Sequence, residues 1–288
     1  MEKARDIKRR MQSVDNTKKI TRTMEMVAAS KLRKARERVE AARPYSRRLA
    51  GVIDRLATPE LARLKPLLRQ PEDVRRAAVV LLTSDRGLCG AFNSNLIREG
   101  RSLVEDLDRR GAEVELHVVG KKGIAFFEFR DRELASTRMD TDDQPSVEEA
   151  RSLVSPLAGR FVDGRLDAVH LVYARFENVM NTPISRRRVL PIEVPEEEGE
   201  SRLYILDPSA EEILDRILPL YLTNAVFNAL LETAAAEQAS RRTAMKNATD
   251  NAEEMLEELE RSYNRARQAE ITQQIAEIMG GAEALREE

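Results

Sequence analysis

Tryptophan is missing from this sequence of 288 residues, and aromatic residues of all kinds make up only 4% of it. A compact enzyme of that length ordinarily carries more aromatic core. Glycine and proline are scarce too, at 12 and 11 residues, so long uninterrupted elements are possible. Cysteine occurs once, as Cys89. That excludes an internal disulfide and any paired-cysteine metal site, and it suits a reducing compartment. No apolar run approaches the roughly 20 residues of a membrane span. The opening stretch MEKARDIKRRMQSVDNTKK has no apolar centre, so it does not read as a secretory signal. Glu2, Asp6 and Asp15 set it apart from a mitochondrial presequence. The expectation is a soluble protein kept in a bacterial cytoplasm.

Charge is what the chain has in quantity: 34% of residues are Asp, Glu, Lys or Arg. With abundant Ala, Leu, Glu, Arg and Met, this points to long solvated helices. The net charge of −2 says little, but its distribution says more. Residues 1–50 hold 16 Lys/Arg against 6 Asp/Glu, a net of +10. Residues 250–288 hold 4 Arg against 11 Asp/Glu, a net of −7. The two ends either form separate solvated faces or lie beside each other.

Apolar spacing gives the organisation. Ala4, Ile7, Met11 and Val14 step by three and four. The stripe then shifts and resumes at Ile20, Met24, Val27/Ala28, Leu32, Ala35, Val39, Ala42, Leu49, Ile53 and Leu56. This is a heptad-like helix with one phase slip, carried past Pro44 by a kink. It would be about 80 Å long, and its narrow stripe suits one neighbouring helix better than a globular core. Residues 77–83, 114–119 and 167–173 read as strands, and residues 184–192 as a fourth, placed at an edge by Pro183 and Pro191. Helices fall at 94–110, ended by Gly111, at 121–129 and at 146–162, the last opening on a Ser-Val-Glu-Glu capping box. The Glu196–Glu200 run is a solvated loop.

A final helix starts with Ser209 as N-cap and Glu212 at its third position. Its apolar positions are Ile213, Ile217, Leu220, Ala225, Leu230, Ala234, Met245, Ala248, Ala252, Met255, Leu259, Tyr263, Ala266, Ile271, Ile275 and Ile278. Gly280-Gly281 is read as its end, after about 100 Å. The fold class is therefore α/β plus a long coiled coil. Two long antiparallel helices, N- and C-terminal, flank a small, largely parallel, Rossmann-like α/β domain. The division is 1–75 and 206–288 for the coiled coil and 76–205 for the α/β domain.

Candidate chemistry is thin. Thr83-Ser-Asp-Arg-Gly-Leu-Cys-Gly-Ala-Phe-Asn93 lies between a strand and a helix, where such folds keep ligands. Either Cys89 is a thiolate activated near a helix N-terminus, with Asp85 beside it, or the stretch is a tight turn. In the second reading Asp85, Arg86, Gly87, Cys89 and Gly90 are structural, and Gly87 and Gly90 supply unusual backbone angles. No GxxxxGK[ST] or GxGxxG occurs, which favours the turn. His117 and His170 sit in apolar strands without a carboxylate motif and read as core or edge residues. Glu253, Glu254, Glu257, Glu258 and Glu260 have helical spacing rather than calcium-loop spacing, and read as a solvated face. The basic first helix holds a single aromatic, Tyr45, in a chain near neutral, which argues against nucleic acid.

Three stretches together resemble one family. Ile20-Thr-Arg-Thr-Met-Glu-Met-Val-Ala-Ala-Ser-Lys-Leu-Arg-Lys34 is similar to the N-terminal shaft motif of the gamma subunits of F-type ATP synthases. Ser84-Asp-Arg-Gly-Leu-Cys-Gly-Ala-Phe-Asn93 is similar to their strand–turn–helix motif. Ala244-Met-Lys-Asn-Ala-Thr-Asp-Asn-Ala252 with Tyr263-Asn-Arg-Ala-Arg-Gln-Ala-Glu-Ile-Thr-Gln-Gln274 is similar to their C-terminal shaft motif. The likeness runs over essentially the whole chain.

The resemblance implies a non-catalytic central-stalk rotor, one copy per complex, that couples proton-driven turning of a membrane c-ring to the beta catalytic sites. Its implied partners are the alpha3-beta3 hexamer, the epsilon subunit and the c-ring, at the cytoplasmic face of the inner membrane and without insertion into it. No cofactor is implied in this chain; ATP or ADP and magnesium belong to the alpha and beta subunits. By position in the motifs, Met24, Arg267, Gln268 and Thr272 would contact acidic beta loops, with Lys18, Lys19 and Arg22 adding positive charge. There are departures. Arg242 stands where many members carry Met, one cysteine rules out the chloroplast dithiol switch, and Arg286-Glu-Glu288 extends past the usual apolar end. The other readings are a small-molecule enzyme on the Asp85/Cys89 turn and a non-rotary coiled-coil scaffold.

Overall fold

The computed structural model describes residues 4–57, 61, 64–139, 144–193 and 209–284. The Glu196–Glu200 loop lies outside the described residues. In order, the elements are α1 (Ala4–Leu56), a 3₁₀ turn (Pro66–Leu68), β1 (Arg76–Leu82), α2 (Phe92–Arg109), β2 (Glu113–Val119) and α3 (Lys121–Glu128). There follow β3 (Ser136–Arg138), α4 (Val147–Val162), β4 (Ala168–Ala174), β5 (Ile184–Leu190) and α5 (Ala210–Ala284). The chain divides into two compact units. One is Ala28–Arg241; the other joins the chain up to Val27 with the chain from Arg242.

The larger unit is built on a five-stranded sheet of order β3-β2-β1-β4-β5. β1 to β4 run parallel, and β5 closes one edge antiparallel to β4. β1 is buried on both faces because alternate residues point to opposite sides of a strand. Ala78, Val80 and Leu82 face α4, whose Ala150, Val154, Leu157 and Phe161 are buried, together with the end of α1 and the start of α5. Ala77, Val79 and Leu81 face α2 and α3. α4 begins with the expected capping box between Ser146 and Glu149. The fifth strand, β3, is three residues of Ser-Thr-Arg. Nothing apolar in it marks a strand, and it was not expected from the sequence.

In this unit α1 and α5 pack antiparallel. Leu32, Ala35 and Val39 meet Leu231, Ala235 and Ala239. Further along α1 and further back along α5, Ser46 accepts hydrogen bonds from Asn224 (2.9 Å) and Asn228 (2.6 Å). In the smaller unit the same sense holds: Thr21 bonds Thr249 at 2.8 Å, and Lys18 pairs with Glu253 at 3.5 Å.

The phase slip expected in the first helix is absent. Buried or half-buried positions alternate three and four from Ala4 through Ile7, Met11, Val14, Lys18, Thr21, Glu25, Ala28 and Leu32 to Leu56. Polar side chains at Lys18, Thr21 and Glu25 hide the heptad from an apolar count. Ile20 and Val27, expected on the stripe, are 59% and 51% exposed. On α5 the buried leucines are Leu214, Leu218 and Leu222, offset from the expected Ile213, Ile217 and Leu220. The offset arises because this end of α5 packs on the sheet and α4 as well as on α1. α5 also continues through Gly280-Gly281 to Ala284. Glycine weakens a helix by about 1 kcal/mol but ends one only by turning left-handed.

His170, on β4, has its pKa lowered to about 4 by burial, with Arg188 and Arg110 nearby. The folded value is below the unfolded one, near 6.5, so the fold favours the neutral ring. That contribution is complete above about pH 6.5 and is lost as pH falls toward 4, by roughly 3 kcal/mol in all. Between pH 6.5 and 5 the urea midpoint of the wild-type chain should fall more steeply than that of His170→Gln. Parallel curves would show that His170 is not held neutral.

Candidate functional site

The turn between β1 and α2 is the part of the sheet where a ligand would be expected, and its interior is filled by its own side chains. Thr83, at the end of β1, donates to the Val119 carbonyl (2.7 Å) and accepts from Gly123 N–H (3.0 Å). Ser84 donates through Oγ to the Arg86 carbonyl (2.7 Å), while its N–H is received by Asn93 Oδ1 (3.0 Å). Asn93 Nδ2 in turn reaches Ser84 Oγ (2.8 Å) and Cys89 Sγ (3.3 Å). Asp85 receives the first N–H of α3, from Lys121, at 2.8 Å. A carboxylate there satisfies an orphan donor at the positive end of the helix.

The backbone of the turn differs from expectation in one place. Gly90 is left-handed (φ 59°), as foreseen, but Gly87 is not; Leu88 takes the second left-handed position at φ 62°. A leucine there is held against its steric preference. The hold comes partly from Arg241 on α5. Its guanidinium donates to the carbonyls of Arg86 and Gly87, both at 3.3 Å, and to Glu237 at 2.7 Å. Arg241 is 8% exposed. Sequence reading passed over it and over Asn93. The available signal was an Arg four residues after Glu237 inside an alanine-rich stretch.

Cys89 is 2% exposed. Burial pushes its thiol pKa up, against the opposing effects of Arg241 and the Ser84 hydrogen bond. The neutral thiol is the favoured form, and a neutral thiol is a poor nucleophile. His117 does not serve it. Its Nδ1 lies 2.7 Å from Ser136 Oγ, and Arg160 grips the neighbouring Glu115, holding that carboxyl below its ordinary range. Among the described residues no group of His, Cys, Asp and Glu could hold a metal ion.

The helix residues singled out by sequence fall into two bands of the smaller unit. Lys18, Lys19, Arg22 and Met24 form the first. Lys18 pairs with Glu253, Lys19 with Asp15 at 2.7 Å, Arg22 is exposed and Met24 half-buried. Arg267, Gln268 and Thr272 form the second, all exposed, with Thr272 Oγ1 bonded back to the Gln268 carbonyl at 2.9 Å. About 20 Å of helix separates Glu253 from Arg267, so the fold does not gather the seven into one patch. Glu253, Glu254, Glu257, Glu258 and Glu260 are exposed.

A family model described as "ATP synthase" matches residues 3–285. The ATP synthase gamma chain of Gemmatimonas aurantiaca is 52% identical over 99% of this chain and 100% of its own length. That of Streptomyces coelicolor is 43% identical over 96% and 94%. Among solved structures, a chain of the central stalk and c-ring of Tetrahymena thermophila mitochondrial ATP synthase is 28% identical, with a TM-score of 0.63. The match covers 80% of this chain and 99% of that one. A chain of Euglena gracilis mitochondrial ATP synthase reaches a TM-score of 0.70 at 19% identity, over 98% and 94%, a likeness of fold.

The turn makes a checkable statement about reactivity. In the folded chain, iodoacetamide should alkylate Cys89 at least about tenfold more slowly than in urea, because the thiol is buried and protonated. Arg241→Ala would take a shared donor from the Arg86 and Gly87 carbonyls, at a cost of about 1–3 kcal/mol, and by loosening the turn should speed the reaction. Equal rates in folded and unfolded chain would mean that Cys89 is open and available for chemistry.

Proposed function

The chain belongs to the gamma-chain family of ATP synthases, and from that premise we propose that it turns inside an alpha3-beta3 hexamer and carries torque between a membrane c-ring and the beta catalytic sites. It is a non-catalytic subunit of the central stalk. The observation that carries the mechanical reading is on α5. Its seam in the smaller unit runs through Met245, Thr249, Ala252 and Leu259, and from Arg267 to Gly280 every residue is exposed. A lone helix with Ile271, Ile275, Ile278 and Met279 in water is unstable by itself. It is suited to a sleeve supplied by other chains.

In this reading residues 1–75 and 206–288 serve as the shaft and 76–205 as the foot, which meets the epsilon subunit and the c-ring. Arg267, Gln268 and Thr272 face the beta subunits' acidic loops in one band, and Met24 with Lys18, Lys19 and Arg22 in the other. Lys18 and Lys19 are already paired within the chain, so Arg22 is the better donor for a beta carboxylate. Asp85, Arg86, Gly87, Cys89 and Gly90 act as a rigid joint. ATP, ADP and magnesium are held by the alpha and beta subunits. No helix among the described residues is long and apolar enough to cross a membrane. In this reading the chain is peripheral, at the cytoplasmic face of the inner membrane. The enzyme reading of the Asp85/Cys89 turn loses its nucleophile to burial.

Affinity-tagged chain purified from native membranes should bring catalytic ATPase with it, and the chain alone should hydrolyse no ATP. Recovery without alpha and beta chains would overturn the reading. The contact assignment has its own test in Arg267→Glu. Facing an acidic loop, the reversed charge should slow hydrolysis by the assembled complex about tenfold at low salt, and the deficit should shrink as salt screens it. An unchanged rate would remove Arg267 from the beta interface.

A further inference from the structure

The groove between α2, β2 and the end of α3 lies in the α/β domain and holds none of the contact residues named above. It is a cavity of about 150 Å³, a size that admits a benzene ring. Its floor is apolar, with Val104, Leu116 and Phe127 at 6%, 1% and 4% exposed. Phe126 meets Phe127 edge to face, their ring centroids 5.3 Å apart. The Arg130 guanidinium lies over the Phe126 ring, 5.2 Å from its centroid. A guanidinium held over an aromatic face keeps its N–H edge for a carboxylate.

The polar rim has an excess of positive charge. Arg101 and Glu105 neutralise each other at 3.2 Å. That leaves Asp108 against Arg130 and Arg132, one carboxylate to two guanidiniums. Among the described residues neither Arg130 nor Arg132 has a side-chain hydrogen bond or ion pair; Arg130 has only its ring contact. Between them Asp131 is left-handed (φ 51°), and the turn folds back so that Arg132 N–H bonds the Phe127 carbonyl at 3.1 Å. Phe129, which caps the end of α3, is 87% exposed.

We infer that this groove docks an acidic, aromatic segment of a partner protein. One aromatic or leucine side chain enters against Leu116 and Phe127, and carboxylates flanking it meet Arg130 and Arg132. A protein segment is the occupant because a benzene-sized ligand would fill the apolar floor and leave the two rim arginines unmet, whereas a chain brings carboxylates on the residues flanking its apolar anchor. None of the shaft-contact residues takes part, so the inference stands or falls separately from the proposed role.

The chain's lack of tryptophan makes the indole of a probe peptide the only one in the sample. Titrated with full-length chain at low salt, acetyl-Glu-Glu-Trp-Glu-amide should show a saturable blue shift with a Kd below about 1 mM. Binding should weaken at least about tenfold in the Arg130→Glu/Arg132→Glu variant, and equally for acetyl-Lys-Lys-Trp-Lys-amide. Both arginines are exposed, so the variant should melt like wild type, which circular dichroism checks. No saturable shift, equal binding of the two peptides, or an unaffected variant would each overturn the proposal. In the assembled complex, benzoylphenylalanine at position 129 should cross-link, on irradiation, to a segment of another protein that carries Asp or Glu beside an aromatic or leucine. Cross-links confined to lipid, or to a second copy of this chain, would also overturn it.

Discussion

The pairing of α1 with α5 is the interaction on which the other features depend. α1 is 53 residues long and α5 is 75, and helices of this length do not fold back on themselves. Their stability comes from the seam each offers the other. On α1 that seam is narrow and meets half-polar partners: Thr21 with Thr249 and Lys18 with Glu253 in one unit, Ser46 with two asparagines in the other. Exposed ion pairs such as Lys18–Glu253 contribute about 0–1 kcal/mol each. Burial of a leucine or isoleucine contributes about 1.5–3. The stability of the pair therefore rests on Leu32, Val39, Leu49 and Ile53, and the polar contacts do something else.

What they do is fix the register. An all-apolar heptad seam tolerates sliding by one repeat, because every position offers the same chemistry. Thr21 and Thr249 satisfy each other only when aligned, and Ser46 meets Asn224 and Asn228 only in the same alignment. Shifting α1 by seven residues would bury these groups without partners, at about 1–3 kcal/mol each. A stalk that carries torque must not slip along its own axis, so spending part of the seam on polar pairs is a reasonable use of it.

These same pairs explain which parts of the fold were legible in the sequence. The strands β1, β2 and β4 announce themselves as apolar runs, and α4 by its capping box. β3 carries no such mark, since it is a strand only through its pairing with β2. The heptad of α1 was legible until Lys18, Thr21 and Glu25, where an apolar count sees a slip and the structure has none. The C-terminal glycines looked like a stop, because a pair of them usually is one. The candidate site divides in the same way. The turn could be read from its glycines and its single cysteine, but Arg241 lies far along the chain and its role appears only once α5 packs beside the turn. Leu88 was hidden by Gly87, a neighbour better suited to the left-handed angle.

A buried arginine that joins a helix to a strained turn has a mechanical meaning. Arg241 and Glu237 are nearly out of water, with side-chain exposures of 9% and 16%. Such a pair is weak evidence for added stability, because desolvation offsets most of its attraction. What ties the helix to the turn is the other side of the guanidinium: moving α5 away would take the donor from the Arg86 and Gly87 carbonyls together. The turn and this stretch of α5 are thereby made to move as one piece. An apolar contact of the same area would let the surfaces slide at little cost. In a chain that performs no chemistry of its own, stiffness at the joint between sheet and helix is the property that the Arg241 contacts supply.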